Sequence, residues 1–164
     1  MSDTVINVTM DELEGRNETA KFRDGQREIK PIAERLIEGS ERLGGLEGLQ
    51  IKYLFAKDEM KSKGKRVLGK ACKFPERDRL LHPFRFCIIL DERFWQDFPN
   101  KREPLLLHEL LHCGVNDEGD PVLVPHDLEE FGEVVRRYGA WANDVVLFDR
   151  QLELFASEQR KAAP

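Results

Sequence analysis

Hydrophobic residues recur every three to four positions in four stretches of the chain, and this spacing predicts four helices. In the first stretch the apolar side chains fall on one face, and a Gly44-Gly45 pair ends the pattern. The second stretch is apolar nearly all round, which predicts a buried helix. The third begins where Asp127 and Glu130 have the spacing of a capping box. The predicted helices cover residues 28–43, 104–113, a segment from about 127, and 141–159.

Alternating apolar and polar residues predict three strands between the first two helices, at residues 50–55, 66–73 and 84–90. The last strand is expected to have an open edge near Arg85, where an extended peptide could bind through its backbone. Together the elements predict an α+β fold, with a small, mainly antiparallel sheet packed on the buried helix. Residues 25–160 are expected to form a single domain, and residues 1–24 a polar N-terminal arm.

The buried helix contains the motif His108-Glu109-Leu110-Leu111-His112. Side chains four positions apart on a helix lie on one face, with Cβ atoms about 6 Å apart. Both imidazoles can therefore reach one ion at a Zn–N distance of about 2.0–2.1 Å. Glu109 projects beside that face, where it can take a proton from water. The motif predicts zinc-assisted hydrolysis; the alternative, a structural histidine pair, is disfavoured because unpaired polar groups in a buried helix cost free energy.

A catalytic zinc site normally has three protein ligands, so a third residue must come from outside the motif. His126 is the favoured candidate, because the turn-rich segment 116–121 can reverse the chain and bring residue 126 back toward the helix. The carboxylates of Glu129 and Glu130 are the alternatives. His82 is expected to be a loop residue or to line the cleft.

Three segments around these candidates resemble the phage metallopeptidase family, a group of small zincins similar to the SprT-like minimal zincins. They are residues 107–113, 125–131 and 137–141, and upstream residues 67–71 and 84–91 resemble the strands that precede the zinc helix in that family. The resemblance extends from about residue 50 to 141. It implies a zincin-like fold, a bound Zn²⁺ ion and peptidase activity on a protein or peptide substrate. The metzincin pattern is excluded, because Val115 replaces its glycine and no histidine follows within the next few residues.

The predicted mechanism uses Glu109 as the general base that takes a proton from the attacking water and passes it to the leaving amine. Tyr138 and His82 are candidates for an additional donor to the oxyanion. Two alternative functions remain open at this point. One is a non-catalytic, zinc-containing module that binds proteins, for example between phage and host. The other is a DNA-associated protease of the SprT-like kind.

Charge is unevenly distributed along the chain, which has a net charge of −5 and a pI of about 5.5. Basic residues dominate between positions 52 and 79, whereas all charged residues from 117 to 133 are acidic. The overall charge gives no general attraction to nucleic acid or anionic membranes. The basic segment could bind nucleic acid, but a solvent-exposed charged surface is the favoured interpretation.

The three cysteines, Cys72, Cys87 and Cys113, cannot all pair within the chain and form no Cys-x-x-Cys motif, which favours a reducing compartment. Cys72 and Cys87 are expected to be core residues. Cys113 follows a predicted ligand but points about 100° away from it on a helix, so it is a disfavoured ligand. Neither a signal peptide nor a membrane span is indicated, and the expected location is the cytoplasm of a bacterial host.

Overall fold

The computed structural model describes residues 20–126, 131–139 and 141. These residues form an α+β fold with a four-stranded mixed sheet in the order β1-β2-β6-β5. β1 and β2 are antiparallel, β2 and β6 parallel, and β5 and β6 antiparallel. The strands of this sheet are β1 (Phe22–Asp24), β2 (Ile51–Ala56), β5 (Gly69–Lys73) and β6 (Phe86–Asp91). Two hairpins complete the strands: β3 (Met60–Ser62) with β4 (Lys65–Val67), and β7 (Cys113–Val115) with β8 (Pro121–Leu123).

Four α-helices accompany the strands in the described part of the chain. They are α1 (Gln26–Glu38), α2 (Glu92–Asp97), α3 (Arg102–Leu111) and α4 (Gly132–Tyr138). Short 3₁₀ segments lie at Glu41–Leu46, Glu76–Leu80 and Pro99–Lys101. None of the helices in these described ranges is long and apolar enough to cross a bilayer.

One face of the sheet carries the hydrophobic core. Alternate residues of β2 and β6 point to this face, as expected for the period of two in a strand. Facing pairs such as Tyr53 with Ile88 and Phe55 with Leu90 are buried in the same cluster as the apolar side chains of α1 and α3. Helix α3 is enclosed on most sides, because Leu105, Leu106 and Leu107 are each at most 2% exposed. The prediction of a buried helix is confirmed.

The first predicted helix is shorter in the structure than its apolar pattern suggested. Helix α1 ends at Glu38, and the chain turns at Gly39 and Ser40 before a separate 3₁₀ segment. Leu43 is nevertheless buried, as its position in the pattern implied. Helix α2 was not predicted; its start is marked by Asp91, whose carboxylate accepts a hydrogen bond from the Phe94 backbone N–H at 2.9 Å.

The strand predicted at residues 66–73 is divided between two sheets. Lys63 and Gly64 both have positive φ, 50° and 77°, which suits a tight two-residue hairpin between β3 and β4. The chain then passes through Leu68 into β5, which pairs with β6 instead. β1 also lies inside the stretch assigned to the polar arm, because residues 22–24 add an edge strand beside β2.

The expectation of an open edge on the strand at residues 84–90 is wrong. That strand is β6, and it pairs with β2 on one side and with β5 on the other. Its side chains explain the central position, since Phe86, Cys87 and Ile88 are consecutive and all buried, whereas an edge strand normally alternates. The edge nearest α3 belongs to β5. The capping box at Asp127 and Glu130 lies outside the described residues, as does nearly all of the helix predicted at 141–159.

Candidate metal centre

A short hairpin brings the three histidines together. His108 lies in the last turn of α3 and His112 is the residue that caps its C-terminus. The chain continues directly into β7, reverses, and returns through β8, where Cys113 faces Leu123. The backbone N–H of Val124 donates to the His112 carbonyl at 2.7 Å and extends this pairing. His126 follows two residues later and reaches the motif.

The three imidazoles form a group that could hold a metal ion. One ring nitrogen from each of His108, His112 and His126 lies within 4.8 Å of the others, and all three side chains are half-buried. The Nε2 atoms of His108 and His126 are 3.0 Å apart. Nitrogen ligands of a tetrahedral zinc ion lie about 3.3 Å apart when the Zn–N distance is near 2.05 Å. The observed spacing therefore fits a single ion with small side-chain adjustments.

A backbone carbonyl sets the tautomer of His112. Its Nδ1 lies 2.7 Å from the carbonyl oxygen of Val124. A carbonyl only accepts hydrogen bonds, so Nδ1 carries the hydrogen and donates it, which leaves the lone pair on Nε2. Metal-binding histidines commonly use this arrangement, because it fixes the ring and makes the other nitrogen a better ligand.

Glu109 directly follows His108 on α3, and its side chain is nearly enclosed, only 4% exposed. Its neighbour across the space between α3 and the sheet is Gly69, the first residue of β5. A Cβ atom built on Gly69 would lie 2.8 Å from both Cγ and Cδ of Glu109, closer than real Cβ contacts, and nearer still to Oε1. A side chain at position 69 would therefore require the Glu109 side chain to move.

Comparison with known protein families assigns the chain to a family. A family profile described as "Putative phage metallopeptidase" matches residues 22–149. The chain belongs to this family. The comparisons with curated proteins and with solved structures found no match. Membership of the metallopeptidase family supports a peptidase that acts on peptide substrates, and the three histidines are consistent with the metal ion that the family name requires.

Two residues that contact the candidate site were not recognised from the sequence. Phe131 was expected only as part of an apolar helix, but its ring is fully buried against all three histidines, with centroid distances of 5.5, 4.8 and 5.2 Å. Gly69 was expected as part of the strand at residues 66–73 and of a segment that resembles the family, without a role in the site. A lone glycine inside a strand pattern is a known signal of close backbone approach, so this role could have been predicted.

Two other candidates, His82 and Tyr138, contact side chains outside the histidine group. The ring of His82 packs against Phe74 and Phe84, at centroid distances of 4.3 and 5.7 Å. The Tyr138 hydroxyl donates to Glu103 on α3 at 3.3 Å, and burial, followed by the nearby Glu103 carboxylate, raises the pKa of this hydroxyl. Glu129 and Glu130 lie outside the described residues.

Cys113 does not join the three histidines. Its Sγ donates a weak hydrogen bond to the Glu109 carbonyl at 3.7 Å, and the side chain is buried. Burial raises the pKa of this thiol well above its ordinary value, which favours the neutral form over the thiolate that binds metals.

Proposed function

We propose that the chain is a zinc-dependent metallopeptidase with a zincin-like arrangement, acting in the cytoplasm of a bacterial host. His108, His112 and His126 are the proposed zinc ligands, and Glu109 is the proposed general base. The observation that carries the proposal is the convergence of three imidazole nitrogens within 4.8 Å, at the end of the helix that also carries the buried Glu109. Imidazole donors suit zinc, and three histidines leave the fourth position that catalytic zinc sites keep open.

The proposed reaction is hydrolysis of a peptide bond by water. When bound, zinc polarises a carbonyl and lowers the pKa of water from about 15.7 toward about 7. Glu109 accepts the proton that the attacking water loses and delivers it to the leaving amine. Burial keeps this carboxylate out of bulk solvent, and the absence of a side chain at Gly69 leaves it room beside β5. The Val124 carbonyl and the Phe131 ring hold the imidazoles in place.

The substrate backbone is proposed to add to the free edge of β5. The Leu68 carbonyl accepts from Asp91 N–H at 2.8 Å, and Phe74 N–H donates to the Arg85 carbonyl at 2.9 Å. Because hydrogen-bonded pairs alternate in an antiparallel ladder, residues 70 and 72 also bond toward β6, and Gly69, Ala71 and Lys73 direct their backbone groups outward. Among the described strands, none is hydrogen-bonded to that side of β5, although β8 packs near this strand. An extended peptide can bind there by β-augmentation, beside Glu109.

A metal-dependence assay tests this function directly. Purified protein is expected to contain close to one zinc ion per chain by elemental analysis. The protein should cleave an unstructured protein such as casein, lose this activity on dialysis against a chelator, and regain it when zinc is restored. Cleavage that persists after the metal has been removed would contradict the proposal.

A further inference from the structure

A small cavity lies at the end of β5 that is farther from Gly69. Its volume is about 300 Å³, and it is bounded by residues from the end of β5, from the connection to β6 and from the start of β8. The walls include the rings of Phe74 and Phe84 together with Pro121, and three cationic side chains line the same space. These are Lys73, Arg79 and Arg85.

Positive charge in this cavity is only partly compensated. Two carboxylates, Glu76 and Asp120, also line it, and both lie close to Arg79, at 3.8 and 3.5 Å. Within the described residues, Lys73 and Arg85 form no ion pair. Nη1 of Arg85 is moreover buried and has no hydrogen-bond partner there. A buried cationic nitrogen without an acceptor is costly, and an incoming anion would reduce that cost.

The cavity is in line with the proposed substrate path. Side chains alternate along a strand, so Gly69, Ala71 and Lys73 share the face of β5 that meets Glu109. Four residue steps from Gly69 to Lys73 correspond to about 13 Å at the rise of an extended strand. A peptide bound along the edge would therefore bring a residue three to five positions from its scissile bond to the cavity.

We propose that this cavity is a substrate subsite that binds a carboxylate, with Lys73 and Arg85 as its cationic groups; the inference rests on the proposed peptidase function. The carboxylate comes either from an aspartate or glutamate side chain or from the C-terminus of the peptide. Both sources offer the two oxygens that a guanidinium and an ammonium group bind well. The apolar walls strengthen the attraction, because they replace water with a medium of lower dielectric constant on one side of the charges.

Cleavage-site profiling on a peptide library made from a digested bacterial proteome tests the subsite. Zinc-loaded wild type is expected to enrich acidic residues about two- to fivefold at one position three to five residues from the cut, the scale of a partly exposed ion pair. Lys73→Glu should abolish this preference and favour lysine or arginine at that position. Lys70→Glu is the matched control, because Lys70 is exposed on the opposite face of β5, and it should retain the wild-type profile.

Amidated versions of the best-cleaved peptides distinguish the two sources of the carboxylate. A preference that survives amidation belongs to an acidic side chain, and one that disappears belongs to the C-terminus; either result supports the subsite. Cleavage without an acidic preference, or equal effects of Lys73→Glu and Lys70→Glu, would overturn it while leaving the peptidase function standing. Zinc-loaded wild type that cleaves no peptide in the library contradicts the peptidase function, and the subsite with it.

Discussion

Single residues around the histidine cluster determine its geometry without taking part in the chemistry. Phe131 packs against all three imidazoles, the Val124 carbonyl orients His112, and Gly69 leaves space for Glu109. The two motif histidines could be predicted because helical spacing alone puts them on one face. His126 could be proposed because the intervening segment had turn residues. The contact of Gly69 with Glu109 joins positions forty residues apart in sequence and depends on how the sheet packs on α3.

Replacing His126 with alanine tests the third ligand. His126→Ala should reduce zinc retention at least about tenfold, because two histidines do not complete a catalytic ligand set. Elemental analysis after dialysis measures the effect, and His82→Ala is the control, since His82 packs on Phe74 outside the cluster. Wild-type retention in His126→Ala would transfer the role to another residue, with Glu129 and Glu130 the first to test.

Adding a methyl group at position 69 tests the contact with Glu109. Gly69→Ala should lower the free energy of unfolding by about 1–3 kcal/mol, because its Cβ would overlap Cγ and Cδ of Glu109. In a Glu109→Asp background, where the side chain at position 109 is one methylene shorter, Gly69→Ala should lower the free energy of unfolding by clearly less. Denaturant unfolding of the four proteins in this double-mutant cycle gives the coupling. Additive effects would show that the two residues do not interact.

The ionisation of the Cys87 thiol tests how well this residue is buried in β6. Burial raises its pKa from an ordinary value near 9 to about 11, so folding favours the neutral thiol. The associated stability is fully present below pH 9 and is lost as the pH rises through 11. At about pH 8, iodoacetamide should therefore modify the half-buried Cys72 before Cys87. Mass spectrometry follows the order, and equal rates in the native protein would argue against the burial of Cys87.

At the scale of elements, the order of strands in the sheet decides which edge is available for the proposed binding of substrate. The pattern of residues 84–90 predicted a strand but not its neighbours, because strand order depends on pairing between distant segments. Its nearly continuous apolar side chains were the available signal for a central position. Because β6 is central, the edge of the sheet beside Glu109 belongs to β5. The sequence pattern had predicted β4 and β5 as one continuous strand.

Proline substitution in β5 tests binding along this edge. Ala71→Pro removes an outward-facing N–H and is expected to retain zinc and fold while slowing peptide hydrolysis. Ala71→Val is the control for side-chain bulk and should be closer to wild type. Cys72→Pro removes an N–H that faces β6 and should instead lower the free energy of unfolding by at least about 1 kcal/mol. Normal hydrolysis by a folded Ala71→Pro variant would place the substrate elsewhere.

For the molecule as a whole, the sequence predicted the α+β class, the buried helix and the family, because each depends on local patterns and short motifs. The division of residues 65–73 between two sheets could not be predicted, since it follows from a sharp turn at Lys63 and Gly64 combined with tertiary pairing.

The basic segment 52–79 contributes side chains to two different parts of the structure. Arg66 pairs with the buried Asp91 at 3.0 Å, and Lys73 and Arg79 line the proposed carboxylate subsite.

Peptide hydrolysis by Glu109→Gln tests the central claim most directly. The substitution keeps the size of the side chain but removes the base, so zinc content and folding should be unchanged while kcat/KM falls at least about a hundredfold. Glu103→Gln, the same change on the same helix, is the matched control and should retain most activity. A Glu109→Gln variant that hydrolyses peptide at the wild-type rate would contradict the proposed mechanism.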